Sequence, residues 1–127
     1  MNLYGIGTDL VETTRIASAI ERLGDSFLKR CFTDHEIAYC TRHGQATQSF
    51  AARWAAKEAI SKAFGTGIGH EMSLVELEII NLPSGQPTVV LHGKAARHAE
   101  QLGVAEVKIS LSHTASYAVA HAMVLLK

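Results

Sequence analysis

Between Thr47 and Phe64 the apolar positions recur at helical spacing, with Ala52, Ala56, Ala59 and Ala63 forming one stripe and Phe50, Ile60 and Phe64 supplying bulk beside it. The pattern predicts the longest helix of the chain. A stripe of alanines lets another backbone approach closely, and Gly65-Thr66-Gly67 ends the helix where glycine accepts a left-handed cap. A different face carries Ala51, Ala55, Glu58, Ser61 and Lys62.

Elsewhere the period changes. Tyr4 to Ile6 reads as a short strand ending at Gly7-Thr8-Asp9, and Arg15 to Leu23 as a helix stopped by Gly24. Thr33-Asp34-His35-Glu36 fits a capping box, in which the Thr33 hydroxyl and the Glu36 carboxylate accept from each other's free amides, so a helix begins there and runs to about Arg42. Val75, Leu77 and Ile79 alternate with Glu76 and Glu78, the period of a half-buried strand; Pro83 to Pro87 turns the chain and Thr88 to His92 returns. Lys94 to Leu102 reads as a short helix stopped by Gly103. Val107, Ile109 and Leu111 alternate with Lys108, Ser110 and Ser112, and after a turn at His113 to Ser116 a last strand covers Tyr117 to Leu125. The class is α+β, with helices mostly in the first half and antiparallel hairpins in the second. No repeat, low-complexity tract or linker divides the 127 residues, which predicts a single domain over 1–127.

Charge narrows the partners. Lys and Arg total 12 and Asp and Glu total 12, so no basic excess points to nucleic acid or a membrane surface. No apolar run reaches spanning length and the start lacks a signal-peptide pattern, so a soluble, cytoplasmic protein is expected. Cys31 and Cys40 have no CxxC or zinc spacing and read as reduced, partly buried thiols. His35, His43, His70, His92, His98 and His121 lack mutual spacing for a metal site and receive no role.

Two carboxylates are oddly placed. Asp9 stands beside Gly5 and Gly7, and Glu58 sits among alanines on a helix otherwise built for burial, where a charge is costly unless paired, hydrogen-bonded or bound to a cation. Ordinary explanations exist for both: an i,i+4 pair of Glu58 with Lys62, and Asp9 as a cap before Val11 to Arg15. Periodicity leaves these open.

Three motifs close the question by resemblance. Gly5-Ile6-Gly7-Thr8-Asp9-Leu10-Val11-Glu12 followed by Arg15-Ile16, then Arg53-Trp54-Ala55-Ala56-Lys57-Glu58-Ala59-Ile60-Ser61-Lys62-Ala63-Phe64-Gly65-Thr66-Gly67, then Ser110-Leu111-Ser112-His113-Thr114 with Tyr117-Ala118, resemble in order and spacing the signatures of the holo-(acyl-carrier-protein) synthases. Trp54 replaces the family's usual Phe, and Ala52 stands where many members have Gly.

The resemblance implies a 4'-phosphopantetheinyl transferase-like fold, a long central helix packed on an antiparallel sheet. It implies transfer of the phosphopantetheine arm of coenzyme A to a serine of an acyl carrier protein, in fatty acid biosynthesis, by a homotrimer with active sites between subunits. By the same resemblance Asp9 and Glu58 hold Mg2+ over the pyrophosphate, and Lys62 reaches a phosphate oxygen near the metal. Gly65, His113, Thr114 and Arg53 contact coenzyme A, and Arg15, helped by Arg22, faces the acidic carrier protein. The serine proton goes to Glu58 or to a water on the metal. A small magnesium-dependent phosphohydrolase and a non-catalytic trimeric binding module are the competing readings.

Overall fold

The computed structural model describes residues 1–42 and 44–127; His43, given no role above, lies outside them. Strands β1 (Asn2–Glu12), β4 (Val104–His113) and β5 (Tyr117–Leu126) form an antiparallel sheet in the order β1-β5-β4, so the two ends of the chain pair with each other. Helix α4 (Ala46–Phe64) lies across this sheet, with α1 (Thr13–Leu23), α2 (Asp25–Cys31) and α3 (Asp34–Arg42) around it. A hairpin of β2 (Leu77–Asn81) and β3 (Pro87–Leu91) forms a separate two-stranded sheet, followed by α5 (Gly93–Leu102). The α+β class, with a long helix on an antiparallel sheet, is the one expected.

Small residues set the spacing of helix and sheet. Gly5 and Gly7 of β1 lie directly under the carbonyl oxygens of Ala63 and Ala59, where a β-carbon would collide with the helix backbone. Opposite them on β5 stand Val124 and Ala122, and Ala120 and Ala118 continue the same buried face. The alanine stripe thus serves as predicted. The backbone it admits is β1.

Strand β1 is far longer than Tyr4 to Ile6, and Asp9 lies within it, opposite Ala120, instead of ending it. The reason is an inverted pattern. The inward face of β1 carries Gly5, Gly7, Asp9 and Val11, whereas the outward face carries Tyr4, Ile6 and Leu10, so the apolar alternation points away from the core. The cap proposed for Asp9 does not form: Glu12 occupies the N-cap position of α1, with no side-chain bond. Helix α2 is an element the pattern does not announce, because Gly24, read as a stop, is with φ +58° the single residue between α1 and α2. Val75 and Glu76 belong to a 3-10 turn with its own Ser73–Glu76 capping box, so β2 starts at Leu77.

The box at Thr33 forms as expected: the Glu36 amide donates to Thr33 Oγ1 at 3.2 Å and the Thr33 amide to Glu36 Oε1 at 3.0 Å. Cys31 and Cys40 are free and buried, and burial pushes both thiols up from their ordinary pKa. Among the described residues no helix is long and apolar enough to cross a membrane.

Candidate active site

The site begins where β1 crosses α4. Asp9, with its side chain only 14% exposed, projects from the inward face of β1, and Lys62 Nζ reaches it from the last turn of α4, 2.9 Å from Asp9 Oδ1 and 3.1 Å from the Thr8 carbonyl oxygen. Lys62 therefore pairs with Asp9 across the fold, and the short-range Glu58–Lys62 pair is not its contact. Asp9 Oδ2 is buried and has no hydrogen-bond partner. An uncompensated carboxylate oxygen in such a position invites a cation.

Glu58 adds a second negative group. Burial raises its pKa above the ordinary carboxylate value, and the charge of Asp9 raises it further, against the opposing pull of Lys62 and Arg15. Two neighbouring carboxylates, one with an unpartnered oxygen, suit a hard divalent cation, since Mg2+ takes one or two protein carboxylates and completes its shell with phosphate and water. Among the described residues no group of three or more His, Cys, Asp or Glu is placed to hold a metal ion.

The raised pKa gives a prediction. Because the folded protein binds the Glu58 proton more tightly than the unfolded chain, its ionisation destabilises the fold as pH rises from the unfolded pKa through the folded one. Without divalent ions, Glu58→Gln melts above wild type at neutral pH, and the gap closes below the ordinary carboxylate range. With Mg2+, wild type gains melting temperature and the variant gains less. Thermal melts at several pH values, with and without Mg2+, check both signs.

Arg15 lies beside this cluster. Its guanidinium stacks over the Trp54 ring at 5.1 Å, and Trp54 precedes Glu58 by one helical turn, so the aromatic residue at the family's Phe position carries the arginine. Arg22, on the same face of α1, donates to Ser18 Oγ at 3.4 Å and is exposed. Gly65 caps α4 in the left-handed region at φ +83°, its amide bonded to the Lys62 carbonyl.

The remaining predicted contacts lie elsewhere. Arg53 precedes Lys62 by nine residues, which places it on the opposite side of α4 and about 13 Å along the axis. There it stacks over Tyr39 at 4.4 Å, donates to Ser49 Oγ at 3.1 Å and to Asn81 Oδ1 at 2.6 Å, and keeps a buried Nε with no partner. Together with His113, Gln45, Gly85 and Pro87 it lines a pocket of about 470 Å³. His113 hydrogen-bonds Gln48 of α4 through Nδ1 at 3.0 Å. Thr114 builds the β4–β5 turn, its hydroxyl accepting from the amides of Ser116 and Tyr117. The structure thus brings Asp9, Glu58, Lys62 and Arg15 together, and separately Arg53 and His113.

Lys57, Tyr39 and Asn81 are not among the residues the sequence singles out, and Glu36 stands out there only as a cap. A lysine between Ala56 and Glu58 was the available signal, since it lies off the Glu58 face and on the face of bulky Ile60 and Phe64.

Over most of its length the chain is similar to known proteins. Residues 5–122 match the family model described as the 4'-phosphopantetheinyl transferase superfamily. A holo-[acyl-carrier-protein] synthase from Solibacter usitatus is 49% identical over 119 residues, covering 94% of this chain and 95% of that one. One from Ruminiclostridium cellulolyticum is 49% identical over 122 residues, covering 95% of this chain and 91% of its own. The crystal structure of the Neisseria meningitidis holo-[acyl-carrier-protein] synthase superposes with a TM-score of 0.90 at 31% identity, covering 96% of this chain and 98% of that one. The Helicobacter pylori enzyme in complex with coenzyme A gives a TM-score of 0.84 at 32% identity, covering 94% of this chain and 98% of that one.

Proposed function

Because the chain belongs to the 4'-phosphopantetheinyl transferase superfamily, we propose that it moves the 4'-phosphopantetheine arm of coenzyme A onto a serine of an apo-acyl carrier protein, as a cytoplasmic holo-(acyl-carrier-protein) synthase supplying fatty acid biosynthesis. The observation that carries this reading is the Asp9–Lys62–Glu58 cluster, formed from two of the matching motifs at the crossing of β1 and α4. A bond forms between the serine oxygen and the β-phosphorus, and the bond from that phosphorus to the bridging oxygen breaks, its electron pair leaving with adenosine 3',5'-bisphosphate. Asp9 and Glu58 would hold Mg2+, which when bound neutralises charge on the pyrophosphate. Lys62 offers a donor to a phosphate oxygen beside them. Glu58 is proposed as the base that takes the serine proton from within the same cluster.

The nucleotide end has its own pocket. Arg53 and His113 suit the phosphates of the adenosine half. Since Arg53 and Lys62 face opposite ways from α4, one coenzyme A most simply spans two protomers, with the pyrophosphate on one and the adenosine on its neighbour. A homotrimer is the assembly proposed. The outward sheet face supports it, for Ile6 is 69% exposed and Leu10 65% exposed, with Tyr4, Tyr117 and Met123 beside them, an apolar patch of the kind that marks association.

Assaying release of adenosine 3',5'-bisphosphate with and without an apo-carrier protein tests the reading. Release only when the carrier is present is expected. Release without it returns the chain to the phosphohydrolases, and no release with it favours a binding module.

Docking gives a further expectation. Arg15 sits at the mouth of the cluster, and a rim charge facing an acidic carrier chiefly speeds encounter and is screened over about 10 Å at 0.1 M salt. Arg15→Ala is expected to raise the carrier-protein KM several-fold at low salt, to flatten its salt dependence and to leave the coenzyme A KM near wild type. A salt series on both enzymes decides, and parallel slopes with equal constants would move docking elsewhere.

A further inference from the structure

Lys57 is fully buried and its ammonium has every donor used, to Glu36 Oε1 at 2.8 Å, the Leu74 carbonyl oxygen at 2.9 Å and the Leu77 carbonyl oxygen at 2.6 Å. Glu36 is equally buried and equally engaged. Besides Lys57 and the Thr33 amide, it accepts the Ile79 amide on Oε2 at 2.9 Å. The pair therefore joins the start of α3, the middle of α4 and both ends of the entry into β2.

A buried ion pair is a poor device for stability alone, since apolar residues of similar volume commonly do as well. What it supplies here is direction. The β2–β3 hairpin is not part of the three-stranded sheet, and a slip of β2 by one residue would turn every one of its side chains to the other face. Lys57 on the Leu77 carbonyl and Glu36 on the Ile79 amide fix that register against α4. Two residues further on, Asn81 Oδ1 accepts from Arg53 at 2.6 Å while its amide donates to the Gly85 carbonyl at 2.9 Å. Arg53 and Lys57 are one turn apart on α4, so the register fixed by Lys57 sets where Asn81 holds the arginine.

From this network we infer that Glu36, Lys57 and Asn81 are positioning residues for the nucleotide end of the substrate: the buried pair registers β2 so that Asn81 aims the Arg53 guanidinium into the pocket. The inference rests on the reading of that pocket as the adenosine-phosphate site. It assigns the network no part in the Asp9–Glu58 chemistry.

The test is titration calorimetry of adenosine 3',5'-bisphosphate on the full-length protein, with steady-state KM values, for Arg53→Ala, Asn81→Ala and the double variant Glu36→Gln/Lys57→Met. Arg53→Ala weakens the bisphosphate if the pocket is the nucleotide site. Asn81→Ala and the double variant are then expected to weaken it roughly tenfold, the loss when one charge-assisted contact is misplaced, and to raise the coenzyme A KM by a similar factor with the carrier KM unchanged. A merely structural role would lower the active fraction, and so the apparent kcat, without moving either constant. If the double variant fails to fold, Asn81→Ala, which leaves the buried pair intact, decides by itself. Wild-type bisphosphate affinity in Asn81→Ala or in a folded double variant, with Arg53→Ala weakened, overturns the positioning role. Wild-type affinity in Arg53→Ala overturns the pocket reading and this inference with it.

Discussion

Asp9→Asn and Glu58→Gln are each expected to lower phosphopantetheine transfer by about a hundredfold or more, the scale on which single groups that stabilise developing charge are felt. Each change removes one charge and almost no volume, so the helix–sheet packing around Gly7 and Ala59 stays in place. The two variants should differ in a secondary effect. In Asp9→Asn the partner of Lys62 loses its charge, whereas in Glu58→Gln the Asp9–Lys62 contact persists and the proton acceptor is gone. Raising Mg2+ should therefore restore part of the Asp9→Asn loss and little of the Glu58→Gln loss. Transfer rates across a Mg2+ series, with circular dichroism as a check on folding, measure this. Wild-type rates with an ordinary Mg2+ demand in either variant would remove the two-carboxylate site.

Gly7→Ala is expected to cost about 3 kcal/mol or more of folding stability, the upper end of what overpacking produces. A β-carbon there would run into the Ala59 carbonyl oxygen and press within 2.7 Å of the Ala63 amide nitrogen, and both are backbone atoms of α4. Neither can swing aside as the tip of a long side chain could. Relief would have to come from separating β1 and α4, the two elements whose contact brings Asp9 to Lys62. Transfer activity should fall together with stability, and urea melts of wild type and Gly7→Ala give the difference. An unchanged midpoint would mean that the spacing of helix and sheet is set elsewhere.

Much of the fold is legible in the residues because local signals and tertiary packing agree. The helix ending at Gly65, the Thr33–Glu36 box and the Tyr117 strand follow from spacing and capping alone. β1 is legible only in part, since its apolar residues face outward and its core-facing positions are glycine, which no alternation rule scores as buried. Its partner β5 stands at the other end of the chain, and no local pattern announces that pairing. The site divides in the same way. Asp9 and Glu58 stand out as carboxylates in apolar company, but the link of Lys62 to Asp9 needs the crossing of β1 and α4. Lys57 and Glu36 are the reverse case: each has an ordinary local reading, a helix lysine and a cap, and only the tertiary structure shows them as one buried pair.

In the proposed reaction the cluster of Asp9, Glu58 and Lys62 transfers phosphopantetheine to a carrier-protein serine. Intact-mass spectrometry of an apo-acyl carrier protein incubated with this enzyme, coenzyme A and Mg2+ tests it most directly. A single adduct with the mass of one phosphopantetheine, located on one serine, is expected, and in the same time only a small fraction of it when the enzyme carries Glu58→Gln. An unmodified carrier protein, or equal modification by wild type and Glu58→Gln, would contradict it.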